Sequence, residues 1–269
     1  MEYSFEKKDS HSSIELTNDW RLIREDIIRR EWLKNAEKKT VKSEMNAFRP
    51  ADYSVAVKVK EDITQIRLDT CRTWSSHPAF MKQEGQLALE RVLVSWVAHN
   101  PKDIGYCQSM NFLGALILVV CQGNEDESIT VFINLMEKTS FGEYFKRESK
   151  FSYLKADVKS LEKLLIGKDP ELSKHLKSID FELTNISNWF LTCFFSRYPT
   201  KKVIRILDQV IKSGNRARDL LVQHGLQSLI EDREEILKCK DLETMFQFLK
   251  GKKIENDFLH QNNENTLSN

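Results

Sequence analysis

The amino-acid sequence predicts an all-α fold, one multi-helix domain, and three observations carry that expectation. Apolar residues recur at i, i+3, i+4 and i+7 in segment after segment. All five prolines (Pro50, Pro78, Pro101, Pro170, Pro199) fall between those segments or at a helix start. A single stretch alternates like a strand: Tyr53, Val55, Val57, Val59. It continues into Ile63 and Ile66 at helical spacing, so residues 53–66 are read as helix.

In chain order, residues 1–18 form a polar, irregular N-terminal segment. The domain is expected over residues 19–255, and a tail rich in Asn, Gln and Ser over 256–269 is expected to fray. Leu89, Val92, Leu93, Trp96 and Val97 mark the clearest helix face. Ile129, Phe132, Ile133 and Met136 repeat the spacing, and Leu154, Val158, Leu161 and Leu165 follow it. Next come Ile186, Trp189, Phe190, Cys193 and Phe194, then Val203, Ile206, Leu207, Val210 and Ile211. Leu242, Met245, Phe246 and Leu249 close the series. Six such stripes must bury against one another, which argues for helix packed on helix. Phe112 to Cys121 is the longest apolar run at ten residues. That is half of the roughly 20 a membrane span needs, so it reads as a buried core helix.

Composition narrows the function classes. The 269 residues are 41% hydrophobic and 30% charged, values of a globular chain. Lys+Arg number 41 against 40 Asp+Glu, and a net charge of +1 gives no global drive toward nucleic acid or anionic lipid. The lysine doublets Lys38-Lys39 and Lys201-Lys202 read as solvated faces. Five scattered cysteines include no CxxC pair, which points to free thiols in a reducing compartment. The histidines lack metal-ligand spacing, and the start lacks an apolar leader. Arg205 and Asp208, at i and i+3, read as a structural ion pair.

Two runs carry the chemistry. The first is Ile66-Arg67-Leu68-Asp69-Thr70-Cys71-Arg72-Thr73, and the second is Tyr106-Cys107-Gln108-Ser109-Met110-Asn111. Arg72 stands where a helix must end before Pro78. Asp69, three residues earlier, can hold its guanidinium. Gln108 stands between a loop and the apolar helix, with Tyr106 and Asn111 placed to fix it. Its carboxamide both accepts and donates hydrogen bonds, as the positioning of a water requires. An exposed arginine and a glutamine are what a GTPase gains from a partner. Hydrolysis needs an in-line water and positive charge where negative charge develops. Cys71 and Cys107 lie inside the runs, but no histidine is placed to activate either as a nucleophile.

These residues resemble the TBC-domain Rab GTPase-activating proteins. The family pattern IxxDxxR followed by Thr is met by Ile66, Asp69, Arg72 and Thr73. The pattern YxQG followed by Met-Asn is met by Tyr106, Gln108, Met110 and Asn111, with Ser109 where the family has glycine. The opening Arg-x-x-Trp is met by Arg29 and Trp32. The later Trp, Phe, Pro and Arg-Ile-x-Asp are met by Trp189, Phe194, Pro199, Arg205, Ile206 and Asp208. The resemblance spans about residues 20–250.

It implies a Rab-family small GTPase as partner, with Arg72 and Gln108 acting in trans as two catalytic fingers. Ile66, Asp69, Thr73, Tyr106, Ser109 and Asn111 support them or meet the partner. GTP and Mg²⁺ belong to the GTPase, and the chain itself holds no cofactor or metal. The resemblance implies a GTPase activator rather than an enzyme with its own substrate. The chain is expected to bind no nucleic acid, to be cytoplasmic, and to meet endomembranes only peripherally or through the GTPase. Two rivals stand beside this reading: a Rab-binding module of the same fold that does not activate because Ser109 misplaces Gln108, and a helical adaptor with no GTPase role.

Overall fold

The computed structural model describes residues 26–35, 53–100 and 103–252. The polar ends expected at 1–18 and 256–269 lie outside the described residues, as do Pro50, Pro101 and the Lys38-Lys39 doublet. The described chain is helical throughout, without a strand. Helices α1 (Asp26–Asn35), α2 (Tyr53–Thr70), α3 (Pro78–Met81), α4 (Gln83–His99), α5 (Met110–Val120) and α6 (Glu125–Lys138) come first. Short 3-10 turns at Ser140–Phe145 and Arg147–Ser149 lead to α7 (Ser152–Lys168) and α8 (Pro170–Ser178). A 3-10 turn at Leu183–Ile186 precedes α9 (Ser187–Leu191) and α10 (Thr200–Ser213); α11 (Ala217–Glu231) and α12 (Arg233–Ile236) follow. The last, α13, covers residues 242–252.

Local chemistry sets the boundaries. Asn124 caps α6 by accepting from the Glu127 amide, and Glu125, Asp126 and Glu127 place negative charge at the positive end of the helix. Asp169 caps α8 ahead of Pro170 at the first helical position. The expected stripes of α4, α6, α7 and α10 are buried. Each such side chain stabilises the fold by roughly 1.5–3 kcal/mol relative to exposure. The apolar run at 112–121 forms most of α5, and Leu113 to Cys121 are buried. Buried side chains from Trp32 to Met245 form one contiguous core.

Helix α4 is the hub for the site, packing against α2, α3, α5 and α6. Gly85 allows the close approach of α3: a Cβ there would lie 1.9 Å from the Ala79 carbonyl oxygen. Helices α2 and α5 also touch, so the C-terminus of one and the N-terminus of the other come together. The opening Arg-x-x-Trp ties α1 down. Arg29 makes a two-pronged bond to Glu127, and the fully buried Trp32 donates its indole N–H to Asp208 at 3.0 Å.

Three expectations need correction. The stripe at 186–194 is buried but is not one helix. Helix α9 stops at Leu191 in a Schellman ending. The Phe194 amide bonds to the Trp189 carbonyl and the Cys193 amide to the Phe190 carbonyl. Cys193 takes φ 47° and Phe194 φ 65°, and the Trp189 and Phe194 rings meet at 5.9 Å. The contact that closes this helix end has the same apolar spacing as a continuing helix.

In α13, Leu242 is 37% and Phe246 45% exposed, because the buried edge runs through Met245, Phe248 and Leu249 instead. Asp208 does not pair with Arg205. It accepts from Trp32 and from Lys212, one turn on, while Arg205 faces solvent.

Candidate functional site

The first segment is the frayed end of α2. Ile66, Asp69, Thr70 and Thr73 are buried, whereas Arg67, Leu68, Cys71 and Arg72 face out. Beyond Thr70 the helix tightens: the Arg72 amide bonds to the Asp69 carbonyl and the Thr73 amide to the Thr70 carbonyl, both at 3.2 Å. The Thr73 hydroxyl satisfies the Asp69 carbonyl again at 2.6 Å. Trp74 then turns the chain at φ 45°, its ring packed against His77, Phe80 and Phe195. Arg72 is left with a side chain 60% exposed and one nitrogen 2.5 Å from Asp69 Oδ1, whose own side chain is 1% exposed.

The second segment is held by its backbone. Gly105 takes φ 65°, and a Cβ there would lie 1.7 Å from the Arg147 guanidinium. Its carbonyl accepts from the Trp96 indole at 2.8 Å. Asp62, buried and ion-paired with Arg147, accepts from the Tyr106 amide, while Arg147 also donates to the Ile104 carbonyl.

Four residues then make a β-turn. The Met110 amide bonds to the Cys107 carbonyl at 3.1 Å, and Ser109, third in the turn, has φ 101° and ψ −28°. This is the type II conformation, whose third position favours glycine. Gln108 occupies the second position, at the corner. It is exposed, and its side chain makes no hydrogen bond to another described residue.

Two side-chain bridges join the segments. The Tyr106 hydroxyl donates to Asp69 Oδ2 at 2.7 Å, so Asp69 serves Arg72 with one oxygen and Tyr106 with the other. Gln65 adds a third donor at Oδ1. Asn111 donates to the Thr73 hydroxyl at 2.8 Å and accepts from the Ser109 amide at 3.0 Å. Burial, then the adjoining Asp69 carboxylate, hold the Tyr106 phenol well above its ordinary pKa, so it stays a donor. Burial also pushes the Cys107 thiol up to about 11, opposite to the depressed pKa of an activated nucleophile. Among the described residues no group of His, Cys, Asp and Glu is arranged for a metal ion. A cleft of about 370 Å³ beside α7 and α8 contains none of the motif residues. An exposed guanidinium and an exposed carboxamide therefore share one hydrogen-bonded platform. Both offer N–H donors, and the carboxamide adds an acceptor.

Several supporting residues lie outside the two motifs. Asp62 and Arg147 hold the loop before Gln108. Phe195 packs on both Trp74 and Phe112, at ring distances of 5.0 and 5.2 Å. The Ser109 hydroxyl donates to Asn188 Oδ1 at 3.2 Å, across 79 residues of sequence. Nothing in spacing marked Arg147 or Asn188.

Comparison with known proteins bears on the family and the fold. The Rab-GTPase-TBC domain profile matches residues 20–237. Human TBC1 domain family member 30 is 29% identical over 227 residues, 78% of this chain and 23% of that protein. A TBC domain-containing protein of Schizosaccharomyces pombe is 30% identical over 189 residues, 70% of this chain and 24% of that protein. The chain thus spans about a quarter of the length of these curated relatives. The crystal structure of the Chlamydomonas flagellar RabGAP TBC domain superposes with a TM-score of 0.66 at 21% identity, covering 96% of this chain and 86% of that one. The Ypt/Rab-GAP domain of Gyp1p gives 0.66 at 16% identity, covering 92% and 87%. With the two motifs, the helical fold and a profile match over most of its length, the chain belongs to the Rab-GTPase-TBC domain family.

Proposed function

We propose that this chain accelerates GTP hydrolysis by a Rab-family small GTPase, lending Arg72 and Gln108 in trans. The observation that carries the reading is the double bridge, Tyr106 to Asp69 and Asn111 to Thr73. It makes one unit of two segments that each present an exposed polar side chain. The GTPase brings GTP and Mg²⁺. The Arg72 guanidinium neutralises charge developing on the transferred phosphoryl, and such an arginine is worth about 10³–10⁵ in rate. Asp69 holds the guanidinium at the surface meanwhile, which limits the entropy lost on docking. The Gln108 carbonyl accepts from the attacking water and its amide donates, holding the water in line. Contact with membranes follows from the GTPase rather than from this chain.

One observation favours the binding-only reading. Ser109 occupies a turn position suited to glycine, a conformation that costs a serine about 1–2 kcal/mol. A relaxed turn would swing Gln108 away from the water.

Single-turnover GTP hydrolysis with a panel of Rab-family GTPases tests both readings. The activator reading expects stimulation by the native chain that is lost in both Arg72→Ala and Gln108→Ala, with binding retained. Binding without stimulation by the native chain would establish the binding-only reading. Absence of binding to every Rab tested would refute both.

A further inference from the structure

Ser109 is where this chain departs from the glycine of its family, and the departure has a partner. The residue holds φ 101° while 7% exposed, so neither water nor free rotation relieves the strain. Its amide is tied to Asn111, but that bond would form equally with glycine. Its hydroxyl, the one group glycine lacks, donates to Asn188 at 3.2 Å. Asn188, the second residue of α9, has a fixed backbone: its carbonyl accepts from both the amide and the hydroxyl of Thr192, at 3.1 and 2.8 Å, just before the Schellman ending.

From this geometry we infer that Asn188 is a positioning residue for Gln108. It acts through Ser109: the Asn188 side chain clamps the serine hydroxyl and holds a non-glycine residue in the type II turn. The tether does the work that conformational freedom does for glycine. Gln108 is the residue directly before Ser109, so any relaxation of the turn at Ser109 re-aims the carboxamide. A neutral hydrogen bond is worth about as much as the strain it opposes. Removing it therefore redistributes the turn among conformers without unfolding the domain. This inference rests on the activator reading for its rate effect, but not for the tether itself.

The test combines Asn188→Ala, Ser109→Ala, their combination, and Ser109→Gly placed in the Asn188→Ala chain. Two quantities are read: the exchange rate of the Met110 amide, whose bond to Cys107 closes the turn, and single-turnover hydrolysis by a responsive Rab-family GTPase. Asn188→Ala is expected to speed Met110 exchange and to slow the saturating rate, each about five-fold. The half-saturating concentration should stay within two-fold, because Asn188 is exposed and only its carboxamide is trimmed from the surface. Ser109→Ala should do the same, and the combination no more than either alone. Ser109→Gly in the Asn188→Ala chain should restore both quantities, since glycine needs no clamp.

Additive losses, or no rescue by glycine, would overturn the inference, as would unchanged Met110 exchange in Asn188→Ala whatever the GTPase result. Faster exchange together with no stimulation of any Rab by the native chain would leave the tether standing and overturn the activator reading instead.

Discussion

The two segments of the site are held by different physics. The arginine segment is placed by side chains. Asp69, almost wholly buried, grips a guanidinium at the end of an ordinary helix, and every backbone angle from Tyr53 to Thr70 is one that any residue adopts. The glutamine segment is placed by its backbone. Gly105 and Ser109 both take positive φ, and Gln108 makes no hydrogen bond of its own to the described chain. The first arrangement tolerates changes in neighbouring backbone but not loss of its carboxylate. The second depends on its turn and on the side chains that hold that turn, Asn188 at Ser109 and Asp62 at Tyr106.

That contrast yields graded expectations. The largest is for Arg72→Ala, which should cut stimulated GTP hydrolysis by about 10³-fold or more. It should leave urea stability within about 1 kcal/mol, because its ion pair with Asp69 is solvent-facing on the arginine side. A large stability loss would mean that Arg72 is structural. Next is Asp69→Asn, the single change that strikes both segments. It should lower the rate about 10²-fold through misplacement of both side chains. It should also cost about 2–3 kcal/mol in urea unfolding, since a buried acceptor of charged and neutral donors is lost.

Tyr106→Phe separates the segments again. It removes one of the two bridges but leaves Arg72 on Asp69 and Asn111 on Thr73, so the rate should fall about 10-fold and stability by about 1.5–3 kcal/mol. Its pH signature is specific. The folded state holds the Tyr106 proton more tightly than the unfolded chain does. That stabilisation is fully present below about pH 10, the ordinary tyrosine value, and is lost as pH rises beyond it. Tyr144 and Tyr198 shift the same way. Alkaline unfolding curves of Tyr106→Phe should therefore be shallower than those of the native chain, though not flat.

The smallest effect concerns the thiols beside the two segments. Mass-spectrometric mapping after brief iodoacetamide treatment at pH 7.5 should find the exposed Cys71 modified well ahead of Cys107, whose thiol is raised to about 11. Equal labelling would show that the glutamine turn opens readily and that its backbone hold is weak.

Much of this was legible in the chain. The stripes on α4, α6, α7 and α10 report themselves because a helix face repeats every 3.6 residues whatever it packs on. The two motifs were legible because each sets its residue types at short, fixed spacing along the chain. The stripe at 186–194 misled because a Schellman closure also brings an apolar residue back onto one five earlier. Arg205 and Asp208 misled because helical spacing states which pairs are near, not which partner wins: Trp32 and Lys212 offer Asp208 better geometry.

By itself the sequence determined the all-helical class, the family, and the two segments where an arginine and a glutamine stand at helix ends. Those follow from local periodicity and from residue types at short spacing. Only the tertiary structure decided that Asp69 would serve both segments at once, that Gln108 would ride the corner of a type II turn, and that Asn188 would reach Ser109. The reason is physical. Helix faces are set by neighbours three and four residues away, whereas these bonds join groups 37 and 79 residues apart. Such groups meet only after α2, α4, α5 and α9 have taken their places.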